Sequence, residues 1–315
     1  MYDLVIIGGG PGGVAAGIYA ARKKIKTVLV TDTFGGQSLV SNEIGNWIGD
    51  VQISGFDLAE RLEKHLKSHP DIEIDEGDLV TEVLQGAEGT PEVSPFTIKT
   101  KNGKMFETKT ILLTCGSSRR KLGVPGEKEY EGHGVVYCST CDAPLFSGKD
   151  IVIVGGGNSA LESVADSIPY ASSITLMIRS DTLRGDPVTQ DEVKGSPKVK
   201  ILFKSEIQEI FGDGKMVQGV RYLDKTLNEI KTLSVQGVFI EIGSIPNCEL
   251  VRNMVTIDQM NEIVVDHKTQ KTSVPGVWAA GDVTDVLYKQ NNISVGDAVK
   301  AVLNIYDYLR GVERK

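Results

Sequence analysis

Residues 2–24 have the sequence YDLVIIGGGPGGVAAGIYAARKK, in which an apolar run is followed by a glycine cluster and an alanine-rich amphipathic stretch. This order predicts a strand, a tight turn and a helix. Gly8, Gly10 and Gly13 satisfy the pattern G-x-G-x-x-G. The first glycine permits the turn, the second lets the backbone approach a pyrophosphate, and the third lets the helix pack on its strand. We therefore expect a dinucleotide-binding unit at this end of the chain.

The end of the next predicted strand supports this interpretation. The apolar stretch TVLVTD (27–32) ends in Asp32, and an acid about 20 residues beyond such glycines accepts hydrogen bonds from ribose hydroxyls. A glycine-rich turn that binds nothing is the weaker alternative, because it explains neither the strand–turn–helix context nor the acid.

The same pattern occurs again in IVIVGGGNSALESVADSI (151–168), where Gly155, Gly157 and Ala160 form G-x-G-x-x-A. The following strand, SITLMIRS, carries Arg179 near its end, and Arg184 lies a short turn further on. Two arginines at this position suit a ribose 2′-phosphate and so favour NADPH, unless both are solvated surface groups. The residues expected to contact NADPH are Gly155, Gly157, Asn158, Ser159, Ala160, Arg179 and Arg184.

Two dinucleotide sites indicate two dinucleotides. The economical assignment is FAD on the first unit and NADPH on the second, so that hydride passes from nicotinamide to flavin. The stretch TSVPGVWAAGDVTD (272–285) supports the flavin assignment, because a short strand ends in Gly281 and Asp282 just before a predicted helix. There Asp282 can bind a ribityl hydroxyl while the helix N-terminus faces the flavin.

The order of predicted strands indicates an α/β fold with two Rossmann-like, three-layer dinucleotide-binding domains, the second inserted into the first. The strand in 108–120 returns to the first unit, and the strand in 234–247 closes the second. We expect a discontinuous FAD domain at 1–117 and 246–315, and an NAD(P)H domain carrying a CxxC at 118–245. An Asn-Gly pair at 102–103 predicts a hairpin turn.

Composition limits the classes of function. The chain has 315 residues, a net charge of −8 and no apolar run of membrane-spanning length, so we expect neither a nucleic-acid nor a membrane partner. The N-terminus lacks the features of a signal peptide, and four cysteines in a chain of this size do not indicate a secreted disulfide scaffold. We expect a cytoplasmic protein.

The stretch CSTCD (138–142) places Cys138 and Cys141 two residues apart. Zinc needs two more ligands that no neighbouring motif supplies, so we expect no metal. A permanent disulfide over so short a loop would stabilise the fold little. A redox-active pair is the interpretation that fits two dinucleotide sites, because a disulfide and a flavin both exchange two electrons.

Together these motifs resemble the low-molecular-weight thioredoxin reductases and the reductase portion of alkyl hydroperoxide reductase flavoproteins, which are pyridine nucleotide-disulfide oxidoreductases of class II. The resemblance covers nearly the whole chain. It rests on GGGPGG (8–13), FGGQ (34–37), GNW (45–47), CSTCD (138–142), GGGNSALE (155–162) and AAGDVTDVLYKQ (279–290). The hydroperoxide reductase flavoprotein carries an N-terminal thioredoxin-like domain that is not present in this sequence, so we expect the electron acceptor to be a separate protein.

The resemblance implies further roles. Cys141 would contact the flavin, Cys138 would attack the partner's disulfide, and Asp142 would act as general acid and base for the thiol. The residues expected to hold FAD are Gly8, Gly10, Gly13, Asp32, Gly36, Gln37, Asn46, Gly281, Asp282 and Gln290. The resemblance also implies a homodimer and a thioredoxin-like or glutaredoxin-like partner.

One departure from the family pattern keeps the electron donor open. Where similar proteins have H-R-R-x-x-x-R, this chain has I-R-S-D-T-L-R (178–184), which lacks the histidine and one arginine. NADH, ferredoxin or another donor therefore remains an alternative to NADPH, and a peroxiredoxin system is an alternative destination for the electrons. A redox-sensing flavoprotein switch is the alternative from a different class.

Overall fold

The structure, a computed structural model, describes residues 1–41, 44–86 and 96–312. Its helices are α1 (Pro11–Arg22), α2 (Gly55–Lys67), α3 (Ser139–Asp142), α4 (Asn158–Ser167), α5 (Pro187–Gly195) and α6 (Asn291–Leu309). Its strands are β1 (Tyr2–Gly9), β2 (Thr27–Phe34), β3 (Ile72–Glu76), β4 (Val80–Gln85), β5 (Phe96–Thr100), β6 (Met105–Leu113), β7 (Ser117–Arg119), β8 (Val135–Val136), β9 (Asp150–Val154), β10 (Ser173–Met177), β11 (Val199–Leu202), β12 (Ser205–Gly212), β13 (Val217–Asp224), β14 (Glu229–Ser234), β15 (Gly237–Ile240), β16 (Ser244–Pro246) and β17 (Val277–Ala279).

The chain divides into two compact units. Unit 1 comprises Met1–Asn42, Trp47–Ser118 and Ile245–Lys315, and unit 2 comprises Glu43–Asn46 and Arg119–Ser244. None of the helices in the described part of the chain combines the length and the apolar character that a membrane span requires.

Unit 1 is built on a sheet with the strand order β3-β2-β1-β6-β5-β4, in which β17 also pairs with β6. Strands β3, β2, β1, β6 and β17 run parallel to one another. Strands β5 and β6 form the predicted antiparallel hairpin, and Gly103 in its turn has φ +83°.

Side chains of β1 alternate between two buried faces of this sheet. Leu4 and Ile6 belong to a core that includes residues of α1 and α6, whereas Val5 and Ile7 belong to a second core on the other face. A strand that is apolar on both faces is typical of a parallel sheet covered on both sides. The continuous apolar run in the sequence therefore gives a three-layer unit.

Unit 2 repeats this plan with a parallel sheet in the order β11-β10-β9-β15-β8. Ile151 and Ile153 of β9 pack with residues of α4, and Val152 and Val154 pack with residues of the antiparallel sheet β12-β13-β14. The predicted α/β class, with two Rossmann-like units of which the second is inserted into the first, is confirmed.

Both glycine turns press against the main chain just after a neighbouring parallel strand. Gly8 has φ +113°, and a Cβ placed on it would lie 2.5 Å from the carbonyl oxygen of Thr114. Gly155 has φ +148°, and its Cβ would lie 2.3 Å from the carbonyl oxygen of Glu241. Only glycine combines this backbone conformation with so close an approach.

The third glycine of the first motif has a different role. A Cβ on Gly13 would lie 1.8 Å from the carbonyl oxygen of Gly8, so α1 packs directly on the end of β1. The equivalent position in unit 2 is occupied by the buried Ala160. The helix of unit 2 therefore tolerates one methyl group where that of unit 1 tolerates none.

We predict that Gly13→Ala destabilises unit 1 by about 1–3 kcal/mol or more, because the main chain must move to admit the methyl group. The matched control is Gly10→Ala, since a Cβ on Gly10 has no atom within 4 Å and its φ of −69° suits alanine. The control should unfold within about 1 kcal/mol of the parent protein. Urea unfolding followed by circular dichroism checks both, and equal midpoints for the two variants would contradict the packing role of Gly13.

Candidate active site

A cavity of about 670 Å³ lies in unit 1 at the carboxyl ends of β1, β2 and β6. This is where an open α/β sheet binds its ligands, and the volume lies within the range of about 300–1,000 Å³ that is usual for ligand pockets. The residues of the predicted FAD set that line the cavity are Gly8, Gly10, Asp32, Gly36, Gln37 and Asp282.

The other predicted FAD residues lie elsewhere. Gly13 is packed beneath the turn, and Gly281, with φ +75°, brings the main chain close to the Ser294 side chain of α6. Gln290 is the N-cap residue of α6. Asn46 groups with unit 2, where its Nδ2 lies 4.0 Å from the Sγ of Cys141.

Residues outside the predicted FAD set complete the cavity wall. They are Asp78, Leu79, Val80, Thr114, Cys115, Gly116, Ser117, Ser118, Asn247, Asn291 and Ser294, among others. Residues 114–118 follow β6, which lies next to β1, so the predicted return of that strand was the signal that could have found them. No sequence pattern identifies Asn247 as a cavity residue. In the structure its Nδ2 donates to the carbonyl oxygen of Cys115 at 2.8 Å.

The cavity fits a dinucleotide on two counts. Gly10 is the N-cap residue of α1 and points no side chain into the space before the helix, so the N–H groups of the first turn stay accessible to a phosphate. Asp78 is 2% exposed, and its Oδ2 has no hydrogen-bond partner within the described residues. A buried acceptor without a partner is costly, and a hydroxyl or amino group of a ligand would satisfy it.

The predicted redox pair lies in unit 2 at the single-turn helix α3, of which Cys138 is the N-cap residue and Cys141 the third residue. Cys138 and Cys141 form a disulfide, and both cysteines are half-buried. The main-chain N–H of Asp142 donates to the carbonyl oxygen of Cys138 at 3.0 Å. Asp166 of α4 accepts from Ser139 Oγ at 2.9 Å and from Thr140 Oγ1 at 3.2 Å, which anchors the two residues between the cysteines.

Asp142, directly after the pair, is suited to proton transfer. It is 7% exposed, and burial raises its pKa from 3.8 to about 7, although the nearby Arg119 guanidinium opposes this rise. A carboxyl with such a pKa can both release and accept a proton near neutral pH. The position of Asp142 directly after Cys141 and its raised pKa therefore suit an acid–base partner for a thiol.

The second glycine turn leads into α4 with Gly157 as its N-cap residue, and a Cβ on Gly157 would meet open space. Asn158 accepts the main-chain N–H of Asp186 on its Oδ1 at 2.7 Å, and Ser159 is exposed in the first turn. Asn158 thus joins α4 to the segment that follows β10.

That segment carries the two predicted arginines. The main-chain N–H of Arg184 donates to the carbonyl oxygen of Gly156 at 2.8 Å, so the segment lies against the glycine turn. The side chains of Arg179 and Arg184 are both exposed. The structure therefore brings Arg184 to the second motif through its main chain, which sequence spacing alone did not establish.

The raised pKa of Asp142 predicts a specific pH dependence of stability. Between about pH 4 and pH 7 the folded protein keeps a proton that the unfolded chain has released, so this group makes folding less favourable as the pH rises through that window. Asp142→Asn should therefore stabilise the protein at pH 8, by on the order of 2–4 kcal/mol, and should have little effect at pH 4.

The measurement is urea unfolding of the oxidised protein at both pH values. The exposed Asp181, replaced by Asn, is the matched control and should change stability little at either pH. Equal destabilisation by Asp142→Asn at pH 4 and pH 8 would show that its carboxyl is not held protonated by the fold.

Comparisons with known proteins agree with this geometry. The family model described as pyridine nucleotide-disulphide oxidoreductase matches residues 2–301. The chain is 40% identical over 309 residues to the F subunit of alkyl hydroperoxide reductase of Xanthomonas campestris pv. phaseoli, a match that covers 98% of this chain and 57% of the relative. It is 39% identical over 308 residues to a protein named NADH dehydrogenase of Bacillus subtilis (strain 168), covering 98% of this chain and 58% of the relative. The chain thus spans a little over half the length of these relatives.

Among solved structures, thioredoxin reductase from Streptococcus pyogenes MGAS5005 superposes with a TM-score of 0.90 at 31% identity, covering 99% of both chains. Relatives of this kind imply a flavin and a pyridine nucleotide. This chain belongs to the pyridine nucleotide-disulphide oxidoreductase family of enzymes, in the class of the low-molecular-weight thioredoxin reductases and alkyl hydroperoxide reductase flavoproteins.

Proposed function

We propose that the protein passes electrons from NADPH through FAD to the Cys138–Cys141 disulfide and from there to a thioredoxin-like or glutaredoxin-like protein. The observation that carries this proposal is the half-buried disulfide directly followed by a buried carboxyl whose pKa lies near 7. A disulfide that served only stability would need no such proton donor.

The FAD belongs in the cavity of unit 1, where the first turn of α1 would face its pyrophosphate and Asp32 its ribose. When bound, FAD would take up hydride from a nicotinamide and supply two electrons for the disulfide. Asp282, which accepts a hydrogen bond from Ser294 Oγ at 3.3 Å and lines the same cavity, is our candidate for the flavin end of the molecule.

The remaining steps belong to residues of this chain. Breaking the S–S bond with two electrons leaves two sulfurs that need protons, and Asp142 would donate one of them. In the second half of the cycle a thiolate attacks the partner's disulfide, and Asp142 would take the proton back. Cys138 is our candidate for that attack and Cys141 for the contact with the flavin.

NADH is a second candidate donor, and two observations favour it. The segment that carries Arg179 and Arg184 has only these two cations where similar proteins have more, and relatives at 38–39% identity bear the name NADH dehydrogenase. The relatives named as F subunits of alkyl hydroperoxide reductase likewise favour a peroxiredoxin-type protein as a second candidate destination. The cytoplasmic location and the homodimer remain predictions.

The nucleotide test is anaerobic flavin reduction of the FAD-loaded protein by NADPH and by NADH. If the arginines bind a 2′-phosphate, Arg179→Ala and Arg184→Ala should each raise the KM for NADPH about tenfold and leave that for NADH unchanged. The matched control is Arg221→Ala, which removes an arginine from the antiparallel sheet of the same unit. Equal effects on both nucleotides would mean that the arginines do not select NADPH.

The acceptor test follows nucleotide oxidation in the presence of an oxidised thioredoxin. Turnover is expected for the parent protein and should fall at least about 100-fold for Cys138→Ser and Cys141→Ser. The matched control is Cys248→Ser, which should keep turnover, because this free thiol donates to the carbonyl oxygen of Asn261 at 3.2 Å and a hydroxyl can do the same. Reduction of the flavin without any turnover of thioredoxin, glutaredoxin or peroxiredoxin would favour the redox-sensing switch instead.

A further inference from the structure

The helix at the redox pair, α3, is too short to be stable by itself. In its main chain the Asp142 N–H donates to the carbonyl oxygen of Cys138 at 3.0 Å, and the Ala143 N–H donates to that of Ser139. Starting a helix fixes several backbone dihedral angles for each such bond, so a single turn gains little from them. Contacts with the rest of unit 2, together with the disulfide, must therefore keep α3 folded.

Asp166 on α4 supplies such a contact to both residues between the cysteines. Its Oδ2 accepts hydrogen bonds from Ser139 Oγ at 2.9 Å and from Thr140 Oγ1 at 3.2 Å. Each of these two donors directly adjoins one of the cysteines in the chain. One carboxylate oxygen therefore anchors the short loop on both sides of its midpoint.

This carboxylate belongs to an element that is itself fixed. Leu161 and Val164 of α4 are fully buried in a core of unit 2 that includes residues of β9. Asp166, on the same helix, is exposed to solvent. A carboxylate accepts stronger hydrogen bonds than a neutral group, and an acceptor on a packed helix holds its donors in one place. The anchor of α3 is therefore stronger than α3 alone.

We propose that Asp166 is a positioning residue for the redox pair, which keeps α3 folded while the S–S bond is open. The inference rests on the proposed function, in which this bond opens in every turnover. When two electrons and two protons convert the disulfide to two thiols, the covalent link that closed the loop is lost. The bonds to Asp166 then hold the loop in the shape that the disulfide requires, so the sulfurs join again at a low entropic cost.

This coupling has a measurable consequence. If the bonds to Asp166 favour closure of the disulfide, their removal must shift the equilibrium towards the dithiol. The net stabilisation from one typical hydrogen bond corresponds to a change of about two- to tenfold in an equilibrium constant. Because two bonds are involved, we expect a shift of about three- to tenfold.

The test measures the equilibrium of the disulfide in the full chain with defined ratios of reduced and oxidised dithiothreitol at pH 7. Dithiothreitol gives up two electrons and two protons and becomes its own cyclic disulfide. Each mixture is quenched by alkylation, and mass spectrometry counts the blocked thiols at Cys138 and Cys141. Asp166→Ala and the double variant Ser139→Ala/Thr140→Val should both shift the equilibrium about three- to tenfold towards the dithiol, because each removes the same two bonds.

Two matched controls separate the hydrogen bonds from the charge. Asp166→Asn keeps an oxygen that can accept from both hydroxyls, so it should shift the equilibrium by no more than about twofold. Glu162→Ala removes an exposed carboxylate one turn earlier on α4 and should likewise have little effect. Equal shifts in Asp166→Asn and Asp166→Ala would assign the effect to charge and overturn the proposal.

Hydrogen exchange gives an independent measurement on the reduced protein. The Asp142 N–H, which donates within α3, should exchange faster in reduced Asp166→Ala than in the reduced parent protein. An unchanged equilibrium, a shift towards the disulfide or an unchanged exchange rate would each overturn the proposal. Should Asp166→Ala fold poorly, the double variant decides the question, since it leaves α4 intact. Failure of nicotinamide oxidation would refute the proposed function and leave this equilibrium unaffected.

Discussion

In each of the two units, a glycine turn lies against the carbonyl oxygen of the residue that follows a neighbouring parallel strand. The fold of each unit depends on this close approach. In unit 1 the partners are Gly8 and Thr114, and in unit 2 they are Gly155 and Glu241. Any side chain at either glycine would collide with main chain, which cannot rotate away as a side chain can. Because the turn and the strand end are pressed together in unit 1, residues 114–118, which follow a strand distant in sequence, line the same cavity as the glycine turn.

In unit 2 this constraint places Glu241 beneath the glycine turn. The residue whose carbonyl oxygen supports the second glycine turn is Glu241, and its carboxyl is buried. Burial raises the pKa of Asp142 to about 7 and that of Glu241 to about 8, so carboxyls that water would keep ionised retain protons near neutral pH.

The sequence predicted the fold class and much of the candidate site for identifiable reasons. The glycine spacing, the apolar strands and the CSTCD stretch are local patterns, and each has a local structural consequence. The placement of Asp78, Asn247 and Glu241 was missed, because each is a single polar residue whose importance arises only from what packs around it. Gly13 shows the intermediate case, in which the pattern identified the glycine and the structure showed that its role is packing against Gly8.

The order of residues by itself determined two strand–turn–helix units, the inserted arrangement of the second unit and the presence of a cysteine pair, since these follow from spacing and hydrophobic period. Tertiary structure decided which distant residues share a site and which charges a carboxyl faces. Proton affinity depends on burial and on neighbours brought together from several elements, as Asp142, Asp166, Glu241 and Arg119 are, and no local pattern in the chain encodes that environment.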